Sequence, residues 1–245
     1  MKIYAHRGCS GSYPENTIAA FKAAARLPIH GVEFDVHMTK DGELVVIHDE
    51  SIDRTSNGRG FVKDLMLGEL KYYDFGAWFS NSFRGEKIPT LREALYVFKD
   101  THHHINIELK SDVFPYEGME WKVLEMLKEY RLEGRVVISS FNHEMIQLVK
   151  ERAPHIETAI LFMEVMVAPQ DYASVVGADA LHAFFPTALR KMGKEVIASG
   201  KQLRVFTVNE EFYANILQAV GVHAIFTDYP QEMYNYFNRT SFSNN

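Results

Sequence analysis

The feature that most constrains this chain is an alternation, sustained over nearly its whole length, of short β-branched or apolar runs with helical stretches. That pattern belongs to α/β proteins with parallel strands. Eight strand-like runs stand out, at residues 2–5, 31–36, 105–109, 135–140, 157–161, 179–182, 203–208 and 223–227. A helical pattern follows each, beginning near Asn16, Thr90, Tyr116, Asn142, Pro169, Thr187, Asn209 and Pro230, several with a capping residue or an early proline. Eight β/α units in 245 residues fit a closed barrel, whereas a doubly wound open sheet more often stops at five or six strands. The expected fold is a TIM (β/α)8 barrel occupying residues 1–245 as one domain.

One run breaks the alternation. Residues 44–48 (L-V-V-I-H) follow the second strand too closely for a parallel crossover, which needs about a dozen residues, so they should pair antiparallel with it. Asp41 and Gly42 read as a two-residue hairpin turn. Centred there, positions summing to 83 pair, which sets His48 opposite Asp35. Residues 37–88 are then an insertion after the second strand, and Pro89, Thr90 and Leu91 resume the barrel. The polar tail after Phe237 is expected to fray, and Asn238 to Thr240, though matching a glycosylation acceptor, lacks an export signal to go with it.

Composition removes several function classes. A formal charge of −6 with no basic run argues against a general nucleic-acid binder, whose affinity comes from clustered Lys and Arg. The single cysteine, Cys9, has no partner for an intramolecular disulfide and reads as a small buried residue. The N-terminus enters a strand at once, leaving no room for an export signal, and no apolar run approaches the ~18 residues of a membrane span. The expectation is a cytoplasmic protein without stable membrane insertion.

Barrel enzymes work at the carboxyl ends of their strands. The first strand ends at His6 and Arg7. In the second, alternation turns Glu33 and Asp35 to one face, and in the third it turns Glu108 and Lys110 the same way. Three converging carboxylates are costly to bury without a cation, and oxygen donors without cysteine favour Mg2+ or Ca2+ over zinc. The competing reading is an internal ion-pair network with Arg7 and Lys110. Those two cations suit phosphate, and His6 and His48 can exchange protons near neutral pH.

The motifs around these residues form an ordered series: H-R-G at 6–8, P-E-N-T at 14–17, V-E-F-D-V at 32–36, T-K-D-G at 39–42 and V-V-I-H-D at 45–49. It continues with R-T-S-N-G-R-G at 54–60, I-P-T-L-R-E at 88–93, N-I-E-L-K at 106–110, S-S-F at 139–141, F-T-V-N at 206–209 and T-D-Y-P at 227–230. Over residues 3–230 the chain resembles the glycerophosphodiester phosphodiesterase family. The resemblance implies acid/base roles for His6 and His48, metal ligation by Glu33, Asp35 and Glu108, and phosphate contacts from Arg7 and Lys110. It also implies a small glycerophosphodiester as substrate, cleaved to sn-glycerol 3-phosphate and an alcohol. Two departures are visible: Phe206 stands where the family usually has Trp, altering a wall near the glycerol, and Ser56 where it has a second Thr.

Other features are weighed against plainer readings. The run His102, His103 and His104 precedes the third strand, at the amino end of the barrel, and reads as a solvated turn. Residues 161–167 (L-F-M-E-V-M-V) are open to three readings: core packing, self-association as a homodimer, or a lipid-touching lip. Phe184, Phe185, Trp78 and Phe79 are candidates for pocket walls or for local packing, and Asn209 and Asp228 for polar support at the mouth. Alternatives to glycerophosphodiester hydrolysis are a related lysophospholipid phosphodiesterase and a catalytically silent binding barrel.

Overall fold

A computed structural model describes residues 1–242. Strands β1 (Lys2–His6), β2 (Gly31–Met38), β3 (Leu44–Val46), β4 (His104–Leu109), β5 (Val136–Ser140), β6 (Glu157–Phe162), β7 (Ala180–Phe184), β8 (Gln202–Phe206) and β9 (Ala224–Thr227) form one sheet. All but β3 are parallel, and β1 pairs with both β2 and β9, which closes an eight-stranded barrel. The helices are α1 (Ile18–Ala24), α2 (Leu67–Leu70), α3 (Leu91–Phe98), α4 (Met119–Tyr130), α5 (His143–Arg152), α6 (Pro169–Val176), α7 (Phe185–Ala188), α8 (Lys191–Ala198), α9 (Glu211–Val220) and α10 (Pro230–Phe242). Among the described residues no helix is long and apolar enough to cross a membrane.

Strand periodicity divides the interior in two. Ile3, Ala5, Val32, Phe34, Val36, Ile105, Ile107 and Leu109 turn outward into the main core beneath the helices. The alternate positions fill the barrel, where Tyr4, Ala224 and Phe226 form one cluster and Val137, Ala159 and Ala180 another. Helix α3 shows how sequence sets this packing. Thr90 and Glu93 close a capping box at its start, and Leu91, Ala94, Leu95 and Phe98, at helical spacing, are all buried. Phe34 stacks obliquely on Phe21, which in turn meets Phe98. Truncating Phe34 to alanine would cost about 3–5 kcal/mol through the cavity it leaves.

The hairpin forms, one residue out of the expected register. Val36 faces Val46, His37 faces Val45 and Met38 faces Leu44, so paired positions sum to 82. The cause is a three-residue loop, Lys40 to Gly42, closed by the Thr39 N–H to Glu43 carbonyl bond, with Gly42 at φ 81°. Asp35 therefore faces Ile47, whose N–H donates to the Asp35 carbonyl at 3.1 Å, and His48 lies one position beyond.

Residues 47–88 carry their own small core of Ile47, Ile52, Val62, Leu70, Phe75 and Ile88, joined by Val45 of β3. The histidine run differs from a solvated turn. His103 is 1% exposed with its Nε2 3.0 Å from the Leu27 carbonyl, and His102 reaches the Ile29 carbonyl. These contacts tie β4 to the segment leading into β2. In place of fraying after Phe237, α10 continues to Phe242; the final residues, 243–245, lie outside the described chain.

Candidate active site

Glu33 and Asp35 from β2 and Glu108 from β4 are buried at the carboxyl end of the barrel, each with one oxygen within 4.8 Å of the others. Arg7 and Lys110 offset part of this charge. Lys110 Nζ is 2.9 Å from Glu108 Oε1, and Arg7 Nε is 3.4 Å from Asp35 Oδ2. Arg7 adopts a left-handed backbone, φ 55°, in a turn that lets its N–H donate to Glu33 Oε2 at 2.9 Å. Burial opposes ionisation of Asp35, yet His48, Arg7, Lys110 and the Asn16 amide together hold its carboxyl below the usual range. For Glu33 the balance is the reverse: burial and the charges of Asp35 and Glu108 outweigh the help from Arg7 and push it well above its ordinary value. Glu108 is also raised, chiefly by burial and then by Asp35.

Both sequence readings of this cluster are thus present in part. Ion pairs exist, but Arg7 also serves Glu15 through Nη1 at 2.9 Å, so the three carboxylates are short of positive charge. A hard divalent cation fits that deficit and that donor set. Burial resists the charge on Lys110, but Glu108 and Asp35 outweigh it and keep the ammonium protonated.

Each histidine has a carboxylate behind it. His6 Nδ1 lies 2.7 Å from Asp228 Oδ1, and His48 Nδ1 lies 2.7 Å from Asp49 Oδ1. A carboxylate only accepts, so Nδ1 carries a proton in both, and in the neutral ring Nε2 is the nitrogen with the lone pair. Asp228 also accepts from Ser10 Oγ at 2.9 Å and Asn209 Nδ2 at 2.6 Å; despite burial, the His6 contact brings its pKa down to about 2. Asp49 is gripped by Arg54, whose guanidinium also takes both oxygens of Glu15. A chain of ion pairs therefore runs from Asp35 through Arg7, Glu15, Arg54 and Asp49 to His48. Behind it, His37 Nε2 reaches the His48 carbonyl at 3.1 Å.

Several of these groups face a cavity of about 350 Å³. His6, Arg7, Glu33, His48, Glu108 and Lys110 belong to its polar lining, and Phe141, Leu161, Met163, Phe206 and Phe226 to its apolar lining. His6 and Arg7 also border a second hollow of about 430 Å³, with Ser10, Glu15, Phe79, Asp228 and Tyr229. Phe206 is thus a wall residue. Phe185 is not: it packs on Phe184 and Tyr213 against the main core. Asn209 acts at one remove, holding Asp228. Asp49, Arg54 and Glu15 sit inside the quoted motifs, yet the sequence reading gave them no role; an Asp beside His48 was the available signal.

Residues 6–232 match the Glycerophosphoryl diester phosphodiesterase family. A glycerophosphodiester phosphodiesterase of Caldanaerobacter subterraneus subsp. tengcongensis is 43% identical over 95% of this chain and 96% of its own. Another, from Bacillus altitudinis, is 42% identical over 94% of this chain and 95% of its own. In structure the chain is similar to an Oleispira antarctica phosphodiesterase solved with its product sn-glycerol-3-phosphate: TM-score 0.89, 32% identity, 97% of each chain covered. The barrel, the carboxylate cluster and the paired histidines are therefore those of a chain that belongs to the glycerophosphoryl diester phosphodiesterase family.

Proposed function

We propose that this protein hydrolyses small glycerophosphodiesters to sn-glycerol 3-phosphate and an alcohol, with His6 and His48 as the proton-transferring pair. The observation that carries the reading is that both histidines, each backed by a carboxylate, border one cavity with Glu33, Glu108, Arg7 and Lys110, and that Asp35 completes the buried carboxylate cluster. The product named for the Oleispira structure supports the choice of substrate. Glu33, Asp35 and Glu108 would hold a divalent cation, Mg2+ or Ca2+, which supplies positive charge for the phosphoryl oxygens.

The chain's own residues account for the proton movements. One histidine Nε2 takes the proton of the glycerol hydroxyl next to the ester, whose oxygen attacks phosphorus. The second histidine, protonated, gives its proton to the departing alcohol, leaving a cyclic phosphate. Water then opens the ring with the histidine roles reversed, and the ring oxygen regains a proton. Arg7 and Lys110 stand beside the carboxylates to bind phosphoryl oxygens, and Asp228 and Asp49 stabilise each imidazolium as it forms. An intramolecular hydroxyl avoids the entropy of fixing a second reactant, for which effective molarities reach on the order of 10⁵ M.

A second reading, cleavage of lysophospholipids, is favoured by the lip after β6. Met163 lines the cavity and is half-exposed, and Val165 and Val167 beyond it are exposed. The deciding experiment measures release of the head-group alcohol, with Mg2+ or Ca2+, from several glycerophosphodiesters and from a micellar lysolipid, with a coupled assay for glycerol 3-phosphate on the former. Release of glycerol 3-phosphate from glycerophosphocholine or glycerophosphoethanolamine is expected. Faster lysolipid cleavage would reverse the order of the two readings, and no cleavage of any diester would remove both.

A further inference from the structure

Two polar groups of the cavity are used neither by the carboxylate cluster nor by the histidine pairs. His182 of β7 is 0% exposed and borders the cavity, with its Nε2 3.1 Å from Arg204 Nη1. A guanidinium only donates, so Nε2 is the bare nitrogen and the proton sits on Nδ1. Arg204 is itself fixed by Glu157 and Gln202. Burial and the Arg204 charge hold the imidazole neutral, far below its ordinary range. Three strands away, Asn106 of β4 is 2% exposed, borders the same cavity and donates from Nδ2 to Ser139 Oγ at 2.9 Å. His182 Nδ1 and Asn106 Oδ1 are both buried without a hydrogen-bond partner among the described residues.

A buried donor or acceptor left unpaired costs about 1–3 kcal/mol, so a ligand group in this cavity that pairs with them is favoured. An alcohol does so, accepting from Nδ1–H and donating to Oδ1. An ammonium group has no lone pair for Nδ1–H and would meet the Arg204 charge behind the imidazole. Phe206 and Phe226 offer apolar surface for a short carbon chain.

We propose that His182 and Asn106 form a subsite for a neutral alcohol, filled by the terminal hydroxyl of the substrate's glycerol half. The assignment rests on the glycerophosphodiester reading above. The hydroxyl next to the ester is engaged in attack, which leaves the terminal one free for recognition. The charged head group is then directed to the second hollow, which shares His6 and Arg7 with this cavity.

The test compares glycerophosphocholine with its analogue carrying a methyl in place of the terminal CH₂OH, which keeps the attacking hydroxyl. Metal-loaded wild-type protein should cleave the analogue with kcat/KM lower by about tenfold or more. Calorimetric titration should show sn-glycerol 3-phosphate binding more tightly than propane-1,2-diol phosphate by a similar factor. Asn106→Ala, checked for an unchanged circular dichroism spectrum, should shrink both ratios. Should Asn106→Ala not fold, the two wild-type ratios decide. Equal cleavage and equal binding of the two compounds would overturn the subsite while leaving the enzymatic reading standing. No cleavage of glycerophosphocholine itself would overturn both.

Discussion

Asp228 holds the Nδ1 of His6 at 2.7 Å, and the two residues come from opposite ends of the chain, 222 positions apart. The contact fixes the neutral tautomer, so that Nε2 is the nitrogen left to act as base in the proposed mechanism. Asp228→Asn can keep the geometry while removing the charge that stabilises the imidazolium. We expect kcat to fall about 10²-fold or more with KM little changed, measured by steady-state kinetics. A loss confined to KM would mean that Asp228 acts on binding.

His6→Ala and His48→Ala should each lower kcat by about 10²- to 10⁴-fold without altering the fold. Circular dichroism and the glycerol 3-phosphate assay together check this. A near-normal rate in either variant would remove that histidine from proton transfer.

A glycerophosphodiester whose ester-adjacent hydroxyl is replaced by hydrogen should bind comparably and turn over far more slowly. The attack would otherwise pass to water, which lacks the intramolecular advantage. Undiminished turnover of that analogue would show direct water attack to be sufficient.

Chelation should abolish activity, and Mg2+ or Ca2+ should restore it. Glu33→Gln gives the opposite signs for stability and activity. Glu33, Asp35 and Glu108 crowd three buried carboxylates together, so a neutral isostere should raise the melting temperature of metal-free protein while abolishing turnover. Calorimetric melts of the metal-free pair give the comparison, and a lower melting temperature in the variant would argue that Glu33 is already neutralised within the fold.

Acid should weaken the fold through its buried histidines. Burial holds His37, His103 and His182 below their ordinary value, so in the folded chain they stay neutral. Above about pH 6.5 neither state binds the extra proton and there is no linkage. As pH falls below that, the unfolded chain protonates first and stability is lost, until the folded histidines also protonate. His103→Gln keeps a donor for the Leu27 carbonyl. Its urea midpoint should fall less between pH 7.5 and 5.5 than that of the wild type.

The barrel was legible because parallel strands buried on both faces leave continuous apolar runs, as in β2, where even Glu33 and Asp35 sit among apolar neighbours. The carboxylates were legible because alternation gives each one a face. What escaped was set by loops and by pairing at a distance. The hairpin slipped one register because Gly42 takes a left-handed turn in a loop one residue longer than the dipeptide implied. His103 was misjudged because a backbone carbonyl 76 positions away supplies its partner. His182 passed unnoticed as the end of an apolar strand, since nothing local marks Arg204 as its neighbour.

The small core of residues 47–88 has one more consequence. His48 and Asp49 lie between Ile47 and Ile52 of this small core and are joined to the sheet through the Asp35 and His37 hydrogen bonds, whereas His6, Glu33 and Glu108 belong to barrel strands themselves. Regions with separate packing open at lower free energy than the whole molecule. Heat is therefore expected to dismantle half of the proposed proton-transfer pair while the barrel is still wound, with activity lost at a lower temperature than the calorimetric melt.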